Sequence, residues 1–205
     1  MSLYSFLYKP LSPFFKFFFR VKLSGSENEP KDGAYLACPN HLSNNDVLIT
    51  AACLKRKVHF FAKAELFKIP VLKQLITALG AFPVKRGAAD VSAIKKTIQL
   101  LDEGKCVGLY PQGTRRRGVD PRQTEVKAGI AMIVYRKDVP ILPICIQTKK
   151  MKILPFRKTF VTLGKPIYRD ELGFKKGTKS EYENASHIIF DRITEMLIPD
   201  GDTIK

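Results

Sequence analysis

Residues 34–46 read AYLACPNHLSNND, and the character of this stretch changes twice. Residues 34–38 form a short apolar run, the length and composition of a buried strand. A loop of mostly polar and turn-forming residues then runs from Pro39 to Asn44. From residue 45 to 54 the apolar positions take up helical spacing, with Asn44 or Asn45 placed to cap the first turn. A strand passing through a polar loop into a helix is the repeating unit of a parallel sheet.

The same alternation continues outward. Strands are expected at 58–62, 81–84, 106–110, 141–147 and 159–163, and helices at 71–79, 88–101, 126–135 and 180–197. In the 88–101 helix Val91, Ile94, Ile98 and Leu101 share one face, and Gly104 suits its carboxyl end. The last helix carries the stripe Ile188, Ile189, Ile193, Met196 and Leu197. Residues 24–33 (SGSENEPKDG) read as a linker or hairpin. The fold class that follows is α/β: a single domain with a largely parallel central sheet flanked by helices. In such sheets ligands bind at loops beyond the carboxyl ends of strands, so those loops carry the chemistry.

Composition narrows the function. Lys and Arg number 35 against 19 Asp and Glu, a net charge of +16 over 205 residues. With 45% hydrophobic residues the chain is too apolar to be disordered. Cys38, Cys53, Cys106 and Cys145 are far apart and lie in apolar runs, which fits reduced, buried thiols rather than a disulfide framework. No Cys-x-x-Cys occurs among these residues and His number only 3, so no metal site is expected. The positive charge suits nucleic acid, an anionic membrane surface or a phosphorylated substrate. No helix-turn-helix, RNP or KH pattern is present, and nucleic acid is not the expected partner.

The amino-terminal segment, MSLYSFLYKPLSPFFKFFFRVK, favours the membrane. Eight of the 21 aromatic residues (7 Tyr and 14 Phe) fall in the first 20 positions, and no acidic residue precedes Glu27. Lys9, Pro10, Pro13 and Lys16 break the run, so neither a transmembrane span nor a secretory signal fits. Two short helices separated at 9–13 are expected, lying in the bilayer interface with rings in the acyl boundary and cations among headgroups. An aromatic arm packed on the domain's own core is the alternative. Residues 1–23 are thus expected to be an interfacial arm and 24–205 the α/β domain. The location expected is the cytoplasmic face of the cell membrane, peripheral, without a span.

Three loops carry the candidate chemistry. His41 follows the first strand and Asp46 lies five residues on, so a loop-to-helix turn brings the carboxylate to Nδ1 and leaves Nε2 to accept a proton. Such a pair is either a general base or a structural hydrogen bond. Cys38 and Ser43 lie close enough to act as nucleophiles, but a buried thiol and a loop cap are the simpler readings, and no Gly-x-Ser-x-Gly elbow is present. Lys85-Arg86-Gly87 follows the 81–84 strand, and Pro111-Gln112-Gly113-Thr114-Arg115-Arg116-Arg117-Gly118 follows the 106–110 strand. Both set cations beside glycines, where backbone and guanidinium approach a phosphate. Arg86 and Arg115 are the expected contacts, and Arg116 and Arg117 read as solvated rim. The spacing is not that of a P-loop.

Taken together these blocks resemble the glycerolipid acyltransferases. Asn40 to Asp46 matches their His-x4-Asp motif, 80–87 (GAFPVKRG) their second block, 110–115 (YPQGTR) their third, and 139–144 (VPILPI) their fourth. The four occur in order, the likeness spans about residues 34–163, and the short chain is most like the bacterial 1-acyl-sn-glycerol-3-phosphate acyltransferases. The resemblance implies that His41 is the general base and Asp46 its orienting partner. Lys85, Arg86, Gln112, Gly113, Thr114 and Arg115 would hold the phosphate of lysophosphatidic acid. The donor would be a thioester, acyl-ACP or acyl-CoA, and no cofactor would be needed. Position 112 departs from the family, which usually has Glu there. Gln keeps one carbonyl acceptor but removes the charge, and so leaves another lysolipid or glycerol-3-phosphate open as acceptor.

Overall fold

The computed structural model describes residues 3–78, 80–84 and 91–198. Seven strands form one sheet: β1 (Val21–Ser24), β2 (Tyr35–Pro39), β3 (Val58–Lys63), β4 (Phe82–Val84), β5 (Cys106–Gly108), β6 (Ile141–Thr148) and β7 (Thr159–Leu163), in the order β1-β7-β6-β2-β5-β3-β4. Every neighbouring pair is parallel except β6 with β7. The helices are α1 (Leu3–Phe18), α2 (Asp46–Cys53), α3 (Pro70–Ala78), α4 (Val91–Asp102), α5 (Gly129–Arg136) and α6 (Lys179–Thr194).

The central strands β2 and β6 are buried along their whole length, as their unbroken apolar runs require when both faces are covered. Their side chains alternate between two cores. Leu36, Cys38, Ile141 and Cys145 face a core that includes Leu100, Ile130, Val134 and Ile189 of α4, α5 and α6. Tyr35, Ala37, Leu142, Ile144 and Ile146 face the other, with Ile49 and Cys53 of α2 and Phe19 just beyond α1. The result is a sheet between two helical layers.

Two expectations about the amino terminus change. Val21–Ser24 pairs with Thr159–Leu163 as the edge of the sheet, so residues 21–23, expected in the arm, are part of the domain. Four residues with alternating exposure carry too little apolar signal to read as a strand. The arm itself is one helix, Leu3–Phe18, running through Pro10 and Pro13 rather than breaking there. Each proline removes one intrahelical hydrogen bond, and tertiary packing offsets the loss. Ser12 Oγ donates to Ala52 O of α2 at 2.9 Å, and Phe15, Phe18 and Phe19 join the second core. One face of the helix therefore packs as the core reading expected. Phe14 (53% exposed) and Phe17 (75%) point outward. No described helix is long and apolar enough to cross a membrane.

The 24–33 linker holds one buried carboxylate. Glu29 accepts from Tyr35 Oη (2.9 Å), Lys55 N (2.8 Å) and Arg56 N (3.0 Å), tying the linker to the start of β2 and the end of α2. All four cysteines are free and buried, and burial raises each thiol pKa: Cys53 and Cys145 to about 12, Cys106 to about 11, and Cys38 well above its ordinary value.

Candidate active site

β2 lies between β5 and β6, and the loops leaving all three strands meet at the carboxyl end of the sheet. Beyond Pro39 the strand ends, and Asn40 keeps its hold on β6 through both its main chain, N to Ile144 O at 3.3 Å, and its side chain. Nδ2 donates to Ile146 O at 2.9 Å, and Ile146 N donates to Oδ1 at 2.6 Å.

His41 is the next residue, 9% exposed, its Nδ1 2.7 Å from Asp46 Oδ2. Asp46 opens α2 and is fully buried. Its Oδ2 also accepts from Leu42 N (2.6 Å) and Ser43 N (2.8 Å), and Oδ1 accepts from Ser43 Oγ (3.3 Å). Oδ2 accepts from two backbone amides and accepts from the ring as well, so Nδ1 carries the proton and the ring's lone pair lies on Nε2. Among the described residues Nε2 has no hydrogen-bond partner.

The ring is held from behind as well. Tyr110, at the start of the 109–118 loop, stacks on it with centroids 3.9 Å apart and planes 20° from parallel. The Tyr110 hydroxyl is buried, and that burial, followed by the charge of Asp46, holds its pKa well above the ordinary value. The same loop fixes the backbone of His41 on both sides. Gln112 Oε1 accepts from His41 N at 2.5 Å, and Arg116 N donates to His41 O at 2.8 Å.

Gln112 corrects one expectation. Sequence placed it among the phosphate ligands, but its side chain is fully buried and its amide is used inside the protein. Nε2 donates to Thr124 Oγ1 at 2.8 Å, while that hydroxyl donates to Pro121 O at 2.6 Å. A Glu here would set a carboxylate oxygen against a hydroxyl whose proton is already committed. Gln therefore suits this neighbourhood, and the residue positions His41.

The remaining expected ligands divide. Gly113 and Thr114 are exposed on the loop. Gly113 has φ +65°, and an added Cβ would lie 3.2 Å from Lys127 Cγ, so glycine is needed there. The Arg115 guanidinium hydrogen-bonds Asn44 Oδ1, which brings it against the His41 loop. Arg116, expected as solvated rim, is half-buried, with its Nε enclosed and unpartnered among the described residues and Nη2 4.0 Å from Glu125. It is a cation that sequence reasoning passed over, because a run of three arginines gives no sign of which one turns inward. Lys85 and Arg86 lie outside the described residues; β4, which precedes them, ends at Val84 on the same carboxyl end of the sheet.

Neither neighbouring nucleophile is free to act. Cys38 is fully buried and its thiol is held protonated by burial. Ser43 Oγ donates to Asp46 and accepts from Asn45 N at 3.0 Å, as a loop cap does. His59 bonds Gly80 O through Nδ1 at 3.0 Å, and burial and then Lys57 lower its pKa. His187 is exposed on α6. Among the described residues no three His, Cys, Asp or Glu side chains come together as a metal site needs.

The family model described as Acyltransferase matches residues 20–147, which include both the His41–Asp46 loop and the 109–118 loop. The chain is 30% identical over 152 residues to the 1-acyl-sn-glycerol-3-phosphate acyltransferase of Bacillus subtilis (strain 168), covering 73% of this chain and 74% of that protein. It is 28% identical over 195 residues to the protein of the same name from Borreliella burgdorferi, covering 91% of this chain and 73% of that one. Among solved structures it is similar to the 1-acyl-sn-glycerophosphate (LPA) acyltransferase PlsC from Thermotoga maritima. The TM-score is 0.71 at 25% identity, covering 93% of this chain and 78% of that one.

Proposed function

The chain belongs to the Acyltransferase family, and from that membership we propose that it transfers a fatty acyl group from a thioester to the 2-hydroxyl of 1-acyl-glycerol-3-phosphate, giving phosphatidic acid. The observation that carries this reading is the 2.7 Å bond between His41 Nδ1 and Asp46, which leaves Nε2 as the basic nitrogen of a ring clamped by Tyr110. Nε2 takes the proton of the acceptor hydroxyl as its oxygen attacks the thioester carbonyl. Asp46 stabilises the imidazolium that forms. When the tetrahedral intermediate collapses, the C–S bond breaks and His41 returns the proton to the departing thiolate. The water-poor setting of the loop, with Asp46 fully buried, strengthens these interactions.

The acceptor phosphate is assigned to Arg115 and the exposed Gly113-Thr114 turn, with Lys85 and Arg86 as the expected second half of the clamp. Arg116 is added to the set on its half-buried position. The donor is acyl-ACP or acyl-CoA. Because the acceptor is a lipid, the protein works at a bilayer surface as a peripheral enzyme, with Phe14 and Phe17 of α1 turned to the lipid. The substitution of Gln for Glu at position 112 gives no ground for a different acceptor, since its side chain points into the protein.

The test is an acceptor panel with purified protein: 1-acyl-glycerol-3-phosphate, glycerol-3-phosphate and a neutral lysolipid, each offered acyl-ACP and acyl-CoA. Labelled phosphatidic acid from the first acceptor is expected. Transfer only to one of the others would replace the acceptor while leaving the base in place.

A further inference from the structure

Among the described residues, four non-glycine residues have positive φ: Arg20 (43°), Lys150 (56°), Met151 (49°) and Phe156 (58°). Such backbone is uncommon for L-residues, and rarest for bulky ones such as Phe. All four meet at one corner. Arg20 joins α1 to β1, and the other three lie in the loop between β6 and β7. Main-chain bonds hold the corner together: Phe156 N donates to Phe18 O (2.7 Å), Thr159 N to Arg20 O (3.4 Å) and Gly118 N to Met151 O (2.9 Å). The Phe156 ring packs 5.1 Å from Phe18 yet remains 60% exposed.

This corner encloses an open cleft of about 460 Å³ lined by Arg20, Lys149, Leu154, Phe156, Arg157 and Lys158. Arg157 Nη1 donates to Lys149 O at 3.3 Å across its lining. The two segments that build it, residues 1–26 and 139–169, contain no Asp or Glu. Because β6 runs parallel to β2, the 149–158 loop leaves the sheet at the same end as the His41 loop. Cations around a cleft, beside the exposed rings of Phe14, Phe17 and Phe156, match a bilayer surface: phosphate at headgroup depth and hydrocarbon just below it. An acidic protein would meet the cations but would leave those rings without an apolar partner.

We propose that this cleft is a headgroup site for anionic phospholipid, separate from the substrate site and contributed by the β6–β7 loop together with Arg20. Phe156 enters the acyl boundary while Arg20, Lys149 and Arg157 grip a lipid phosphate. The carboxyl end of the sheet, and with it His41, then faces the bilayer. The site does not depend on acyl transfer and is read without turnover.

The test is vesicle flotation with phosphatidylcholine alone and with phosphatidylcholine containing one third phosphatidylglycerol. Three proteins are compared: wild type, R20Q/K149Q/R157Q, and the charge-matched control K175Q/K176Q/K179Q. The control lysines are exposed and follow Phe174, which packs on Tyr135 near the end of α5, at the opposite end of the sheet. Each cation at an anionic surface is worth about a fivefold change in binding. The cleft variant is therefore expected to lose on the order of 100-fold affinity for the anionic vesicles at low salt, and the control far less. Equal losses in the two variants would mean that net charge alone draws the protein to the surface, and would overturn the site. So would a folded cleft variant that binds vesicles like wild type while losing affinity for acidic carrier protein. Should the triple variant melt early, F156S gives the second reading. It is expected to weaken binding to both vesicle types, and unchanged binding would again overturn the proposal.

Discussion

Two loops at the same end of the sheet are built on opposite plans. The 39–46 loop buries Asn40, His41, Leu42 and Asp46, and their polar groups are spent inside the protein: Asn40 on β6, Asp46 on His41 and two backbone amides, His41's own backbone on Gln112 and Arg116. The 149–158 loop sets its cations and Phe156 at the surface and holds three residues in left-handed backbone. One plan leaves the imidazole Nε2 of a buried, clamped ring with unspent capacity among the described residues. The other leaves a whole surface. A reaction needs one group at a defined place with a defined proton, whereas adhesion to a fluid bilayer needs several groups and tolerates variation in each.

Substitutions in the two loops should separate accordingly. His41→Ala removes the proposed base and is expected to lower the transfer rate by about 10²–10⁴-fold or more. Its fold should persist, so a melting curve near wild type alongside lost turnover is the signature. Asp46→Asn is expected to cost a comparable factor in kcat, since the ring loses its fixed tautomer. Unlike His41→Ala it should also lower stability, because Leu42 N and Ser43 N lose a charged acceptor worth about 1.5–3 kcal/mol per bond. If both variants melted like wild type, Asp46 would not be the anchor of its loop. Gln112→Ala strands the buried amide of His41 and is expected to cost about 1–3 kcal/mol, with a smaller fall in kcat than either of the first two. Cys38→Ala is expected to change turnover least, and iodoacetamide should leave native enzyme active at neutral pH, since burial keeps that thiol protonated. Rapid inactivation through Cys38 would break the contrast, for it would put a nucleophile where only packing is expected.

The sequence was most legible where burial is uniform. β2, β3, β6 and β7 are apolar runs bounded by turn residues, and each falls within a residue or so of its expected place. It was least legible at the edges. β1 is half-exposed, and α1 crosses two prolines because α2 and the core hold it, a tertiary cause that no local pattern shows. In the site, the His41–Asp46 pair was readable because five residues of loop and first helical turn bring the two together. Gln112 was not, since a polar residue in a cationic loop reads as a ligand until its side chain is seen to point inward. The Tyr110 stack and the inward turn of Arg116 depend on contacts between separate loops, which spacing along the chain does not encode.

Asn40 shows what such cross-loop dependence demands of chemistry. Its carboxamide stands in for a peptide group, one donor and one acceptor offered to the main chain of Ile146. The ladder thus gains one rung beyond its last main-chain bond, Asn40 N to Ile144 O, and the chain then turns to lay its imidazole on Tyr110. Asp would turn two lone pairs toward a carbonyl, and Ser is too short to reach both partners. Without touching any substrate, the position is thereby closed to side chains that lack an amide.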